Sequence, residues 1–304
     1  MAITANEIVF HNYALSPFSE KIRKVFALKN ISYRSVDQPM WLPRPELTPL
    51  TSSFRRIPVM QIGADVYCDT SLIARKLDRL HPDPPLYPGS SAGVADLIGA
   101  WADKQLFFPV CAPLVFGALA EALPSELIED RKKIMPGLDI DTLKAAAPAL
   151  GAMLTAYLDW IDAALDGKPH LLGEHFTIAD AAVFHTLWFV RNDPTSAEKI
   201  GARPQLAAWM DRVEAMGHGN AVEAGAADAL AVARDSEPAD PGSGGTDVAP
   251  GTSVAISADD LPTDVVRGEV VSADTQEIVI RRQDADVGTL HAHFPRAEYI
   301  VQLG

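Results

Sequence analysis

The sequence predicts an α/β domain, then an all-helical bundle, then a small all-β domain at the C-terminal end. Three observations carry this reading. Strand and helix patterns run β-α-β and then β-β-α over about the first 80 residues. From Val94 to about Val222 the pattern is helical, with Ala-rich runs and no strand-like alternation. Beyond a Gly/Pro/Ser-rich stretch lie five short β-rich runs.

Taken in order, Glu7–His11 reads as a buried strand, and Pro17 to about Lys29 as a helix. Ser16 suits the N-cap and Pro17 the first helical position, where a missing N–H costs nothing. Phe18, Ile22, Val25 and Phe26 give that helix one apolar face, and Asn30 can end it in a left-handed conformation. Ile31–Val36, Pro58–Ile62 and Val66–Cys68 read as strands, the last two joined through Gly63-Ala64-Asp65. A helix then starts at Asp69-Thr70-Ser71 and runs to about Leu80.

The Pro-rich passage His81–Ser90 reads as a connection, and Leu150–Leu165 as an amphipathic helix of the bundle. The expected boundaries are 1–84, 90–225, a flexible linker at 235–252, and a barrel-like β domain of unassigned role at 253–304. Its strands are expected at Ser253–Ser257, Val265–Ser272, Gln276–Arg282, Gly288–Phe294 and Tyr299–Leu303.

Composition narrows the function. The 304 residues carry a net charge of −14, with 48% hydrophobic and 22% charged residues. Residues 1–90 hold 11 basic against 8 acidic side chains, whereas Asp235 onward holds 4 against 13. An acidic body repels phosphate backbones, so nucleic acid is excluded as a partner, while the basic N-terminal part suits a small anion. Two cysteines, Cys68 and Cys111, exclude a disulfide framework and fit a reducing compartment. Leu106–Ala120, an uncharged stretch of 15 residues, contains two prolines. A membrane helix needs about 20 apolar residues. With no basic start and apolar run at the N-terminus, the expectation is a cytoplasmic protein that does not enter membranes.

Three local motifs converge in the first 80 residues. Ser16-Pro17-Phe18-Ser19 sets a hydroxyl at a helix N-terminus, where N–H groups and the helix dipole favour an anion. Ile57-Pro58-Val59 opens a strand with a proline that cannot donate to the ladder. Asp69-Thr70 puts a carboxylate and a hydroxyl at a helix start, a pairing able to hold both ends of an amino acid. Each motif alone is an ordinary cap or turn. In the helical region, Thr177 and Asp180 stand as N-cap and N3 of an Asp-type capping box.

In this order, Ser-Pro-Phe-Ser, Ile-Pro-Val, Tyr-Cys-Asp-Thr-Ser-Leu-Ile and Gly173–Asp180 resemble the glutathione transferase superfamily over about residues 7–225. The resemblance implies a thioredoxin-like domain with a cis Ile57–Pro58 bond, an all-helical domain and usually a homodimer. It implies that Ser16 stabilises the glutathione thiolate, that the backbone at Ile57 binds the cysteinyl portion, and that Asp69 and Thr70 bind the γ-glutamyl end. The family usually has Glu-Ser where this chain has Asp69-Thr70, and Asp is one methylene shorter. The chain from Asp235 onward lies outside the family pattern.

The energetics are feasible. Lowering a thiol pKa of about 8.5 by about two units needs ~2.7 kcal/mol. A hydrogen bond to a charged acceptor contributes roughly 1.5–3 kcal/mol, and a helix dipole up to ~1. Tyr13 and Ser19 compete with Ser16 for the sulfur; neither Ser16 nor Ser19 is a cysteine, which argues against disulfide exchange. Arg55 and Arg56 could attract a carboxylate, and Trp101, Phe107, Phe108 and Phe116 could line an acceptor pocket. His291 and His293 alternate onto one strand face, but no third ligand is evident, so no metal site is expected. The expected activity is conjugation of glutathione, as co-substrate, to a small electrophile without metal or redox cofactor. A non-catalytic glutathione-binding scaffold and a glutathione-dependent isomerase stay open beside it.

Overall fold

The computed structural model describes residues 3–135, 138–242 and 248–304, which form two compact units. One unit comprises Met1–Ser19, Ser32–Lys76 and Asn220–Gly304; the other comprises Glu20–Ile31 and Leu77–Gly219.

The first unit is built on a ten-stranded sheet. Strand β1 (Ile8–Asn12) is buried at every position, and α1 (Pro17–Leu28) begins at the predicted proline. Asn30 takes the left-handed conformation (φ 50°) that ends this helix, and β2 (Ser32–Asp37) returns parallel to β1. A short helix α2 (Thr48–Thr51) interrupts the Pro-rich passage. Strands β3 (Val59–Ile62) and β4 (Asp65–Cys68) form an antiparallel hairpin beside β1, and α3 (Thr70–Leu80) follows. This is the expected thioredoxin-like order.

Helices α4 (Ala92–Trp101), α5 (Ala112–Ala118), α6 (Ser125–Lys132), α7 (Ile140–Ala164), α8 (Ile178–Val190), α9 (Pro194–Gly201) and α10 (Pro204–Ala215) make up the bundle. A π-helical stretch, Ala102–Cys111, joins α4 to α5 and contains Pro109. The predicted apolar stripe on α7 is its buried face: Leu154, Leu158 and Ile161, with Leu165 just beyond. Each such side chain contributes about 1.5–3 kcal/mol on burial. The capping box at Thr177 and Asp180 opens α8, which is buried along almost its whole length. Asp180 also accepts hydrogen bonds from Leu171 N (2.9 Å) and Trp209 Nε1 (3.2 Å), so the cap ties three segments together.

Beyond the bundle, β5 (Asn220–Glu223) pairs in parallel with β2, and α11 (Ala226–Arg234) packs Ala226, Ala229 and Val232 against Ile3, Val9 and Val36. Neither element was expected. All four β5 positions are exposed, so there is no alternation to read.

The five expected C-terminal strands all form: β6 (Ser253–Ala258), β7 (Leu261–Ala273), β8 (Glu277–Asp284), β9 (Gly288–Pro295) and β10 (Tyr299–Leu303). The expected β-rich C-terminal region is present, as an extension of the N-terminal sheet and not as a separate barrel. The strands continue the N-terminal sheet in the order β10-β6-β7-β8-β9-β4-β3-β1-β2-β5, with β9 parallel to β4. The ladder covers the edge that β4 would otherwise expose, and an uncovered edge invites association. Of the expected linker, 243–247 lies outside the described residues. Before it, Ala239 is fixed, its N–H donating to Asp65 Oδ2 (2.8 Å) and its carbonyl 3.1 Å from His291 Nδ1. No helix among the described residues is long and apolar enough to cross a membrane.

Candidate functional site at one end of the sheet

Strand register brings the three N-terminal motifs together. His11 of β1 lies opposite Val59 of β3, and Val59 lies opposite Cys68 of β4. The turn into α1, the Ile57–Pro58 bond and Asp69-Thr70 therefore all emerge at the same end of the sheet. Sequence separation hides this convergence; antiparallel pairing produces it.

Ser16 is the N-cap of α1 in geometry as in sequence. Its Oγ accepts from Ser19 N (3.1 Å), its N–H donates to the Tyr13 carbonyl (3.0 Å), and the residue is 1% exposed. Ser19 is fully buried, and its hydroxyl has no partner among the described residues. Tyr13 is half-buried on the turn before α1. The Cys68 thiol is buried and burial pushes its pKa up, which suits a structural rather than a nucleophilic thiol.

The Ile57–Pro58 bond is cis, and Ile57 stands just outside the β3 ladder. Arg44, a residue that sequence reasoning passed over, braces this loop. Its guanidinium donates to the carbonyls of Pro39 (2.7 Å), Met40 (3.1 Å) and Arg55 (2.5 Å) while the side chain is almost wholly buried. Nothing in its Pro-rich surroundings marks it locally.

Asp69 adopts φ 77°, a conformation that asparagine and aspartate tolerate better than most residues. Its Oδ1 accepts from Ser71 N and Ser71 Oγ (2.8 Å each), so the carboxylate caps α3. Its Oδ2 accepts from the Tyr299 hydroxyl at 3.2 Å. Thr70, the first residue of α3, is 5% exposed.

Arg56 pairs with Asp260, in the turn between β6 and β7. Burial alone would lower its pKa, but the carboxylates of Asp260 and Asp69 around it hold the guanidinium above its ordinary value. Next to it, Arg55 N donates to Asp264 Oδ2 (3.3 Å) and Ser53 Oγ to the Val265 carbonyl (2.5 Å). The C-terminal strands thus reach the same sheet end. Nothing local in the sequence ties Tyr299 or Asp260 to this site.

The proposed acceptor aromatics fall into two groups within the bundle. Trp101 packs on Tyr157 (5.5 Å between ring centroids), which in turn contacts Trp160 (5.2 Å). Phe107 is buried against Phe108 (5.1 Å), Phe189 (5.3 Å) and His185 (5.8 Å), and Phe116 is also buried. His291 and His293 do lie side by side, their ring centroids 6.5 Å apart. Both nitrogens of His293 face carboxylates, Asp65 Oδ1 and Glu277 Oε1, at 2.8 Å each.

A thioredoxin-like sheet followed by a helical bundle is a glutathione S-transferase-like architecture. The glutathione S-transferase N-terminal domain family matches residues 10–85, and its C-terminal domain family matches residues 144–212. A GST-like protein from Pseudomonas syringae is 33% identical, with a TM-score of 0.77 over 97% of this chain and 100% of that one. A glutathione S-transferase from Rhodospirillum rubrum has the same fold at 21% identity and a TM-score of 0.55, over 68% of this chain and 87% of its own. Glutathione S-transferase U25 of Arabidopsis thaliana is 24% identical over 214 residues, 68% of this chain and 85% of that protein. The chain belongs to the glutathione S-transferase family. Coverage of 97% by the Pseudomonas syringae protein extends the likeness into the C-terminal strands.

Proposed function

We propose that this protein conjugates glutathione to a small electrophile, with Ser16 holding the thiolate. Glutathione lies extended along the start of β3, its cysteinyl portion on the Ile57 backbone and its γ-glutamyl end at Asp69 and Thr70. The observation that carries this reading is the convergence of those three motifs at one sheet end through the His11–Val59–Cys68 register. At the N-terminus of α1 the helix dipole favours the thiolate over the thiol, and the Ser16 hydroxyl supplies a donor to the sulfur. The chemistry asked of the protein is thiol activation and proximity, with no metal or redox cofactor.

A homodimer is part of the proposal. Val94 and Leu97 on α4, and Met153 and Trp160 on α7, are large apolar side chains left 44–72% exposed in the single chain, the kind of surface that partners cover.

The test is retention on immobilised glutathione, a conjugation assay with a generic electrophile, and titration of the bound thiol in Ser16→Ala. Retention, turnover and a thiol pKa raised by about two units in the variant are expected. An unchanged pKa removes Ser16 from its role. Retention without turnover supports a non-catalytic glutathione-binding module instead, a reading favoured by the 1% exposure of Ser16.

A further inference from the structure

We propose that the C-terminal strands supply part of the ligand site: Tyr299 Oη and Asp69 Oδ2 together seat the ammonium group of the bound γ-glutamyl end. The inference rests on the glutathione reading above and adds to it a residue from outside the two family domains.

The placement follows from strand direction. β9 runs parallel to β4, with Tyr67 opposite His293, so both strands finish at the same sheet end. The chain leaving β9 turns and enters β10 at Tyr299, beside Asp69, which directly follows β4. Tyr299 lies opposite Ala258 of β6, so the next turn, Asp259-Asp260, reaches the same place and meets Arg56. The Asp259 N–H donating to the Glu298 carbonyl (3.0 Å) joins the two turns.

Tyr299 is a fixed wall rather than a displaceable lid. It is 8% exposed, its ring packs on Phe294 (5.7 Å), and the β10–β6 ladder holds its backbone. A phenol has one proton, and here it goes to Asp69 Oδ2. That leaves phenolic lone pairs beside a carboxylate oxygen, two acceptors 3.2 Å apart with no donor left between them. An ammonium has three donors and no acceptor, so it complements this pair. Asp69 stays partly exposed and can be reached from solvent.

The charges agree. Asp260 already meets the Arg56 guanidinium. Arg56 stands beside two carboxylates, Asp260 and Asp69, so with a neutral Tyr299 the group carries one more negative charge than positive. The excess negative charge favours a cationic ligand group at this end, and Arg56 ties the Asp260 turn to it.

The experiment is calorimetric titration of the full chain with glutathione and with its des-amino analogue, glutaryl-cysteinylglycine. Wild type is expected to prefer glutathione by at least about tenfold, the effect of losing a charged hydrogen bond. Tyr299→Phe keeps the ring and removes the hydroxyl. It is expected to weaken glutathione binding about tenfold and leave the analogue within about twofold, so the preference collapses. Asp69→Asn is expected to erase the same preference, with circular dichroism showing both variants folded. If Tyr299→Phe binds glutathione as tightly as wild type or more tightly, the proposal fails while the glutathione reading stands. If wild type binds neither ligand, both fall.

Discussion

Nε2 of His293 lies 2.8 Å from Asp65 Oδ1, and the same ring stacks on Tyr67 at 4.2 Å between centroids. Glu277 Oε1 holds its other nitrogen, so one imidazole joins β9 to β4 and β8 at the seam where the C-terminal strands meet the N-terminal sheet. Burial alone would lower its pKa, but the two carboxylates outweigh burial and raise it above the ordinary histidine value. The stabilisation is then complete below the unfolded-state pKa of about 6.5 and is lost as pH rises through the elevated folded value. Neighbouring His291 is shifted the other way, first by burial. Urea midpoints measured from pH 5 to pH 9 are expected to fall more steeply on the alkaline side in wild type than in His293→Gln. Parallel curves would show that folding leaves the proton affinity of the imidazole unchanged.

A second buried charge lies in the helical unit. Lys21 Nζ is 2.6 Å from Asp103 Oδ2, and His185 Nε2 is 2.9 Å from Asp103 Oδ1. Burial pushes the Asp103 carboxyl up, yet Lys21 and His185 bring it below the usual carboxylate range. Its contribution is present above the unfolded pKa of about 3.9 and lost as pH falls through the depressed folded value. Lys21→Met removes the cation and leaves the carboxylate buried, at a cost of about 3–5 kcal/mol near neutral pH. Denaturant unfolding at pH 7 checks this; a loss below 1 kcal/mol would mean that water replaces the ammonium.

Asp180 is a hub rather than a simple cap. Besides Leu171 N and Trp209 Nε1, its carboxylate accepts from the N–H and Oγ1 of Thr177. Asp180→Ala leaves several buried donors without partners and is expected to cost about 3 kcal/mol. Thr177→Ala, which removes only the N-cap side chain, is expected to cost about 1 kcal/mol. Equal effects in thermal unfolding would reduce Asp180 to a capping role.

Gly268 of β7 sits against β8 with no room for a side chain. A Cβ there would stand 2.6 Å from the Arg281 carbonyl oxygen and about 3 Å from Ile280. Gly268→Ala is expected to cost about 1–3 kcal/mol, since the ladder must give way. Amide exchange should accelerate in β7 and β8 first, and protection equal to wild type would mean that the strands can separate without loss.

Much of this fold is legible locally. Ser16-Pro17 and Asn30 bound α1 because caps act through hydrogen bonds a few residues long. The five C-terminal strands declare themselves by alternation and turn residues. Alternation, however, says which face a residue takes and not which strand lies beside it. That β9 joins β4 depends on a free sheet edge more than 200 residues earlier in the chain. The exposed strand β5 shows no pattern at all, and its place is set by pairing with β2.

The candidate site divides the same way. The sequence alone determined Ser16 at a helix start, a proline opening β3 and Asp69 ahead of α3, because each is a local conformational requirement. Tertiary structure decided that they share one sheet end, that Arg44 braces the loop between them, and that Tyr299 and Asp260 stand on Asp69 and Arg56. The reason is physical: strand pairing joins residues regardless of their separation along the chain, and only the assembled sheet sets its direction and register.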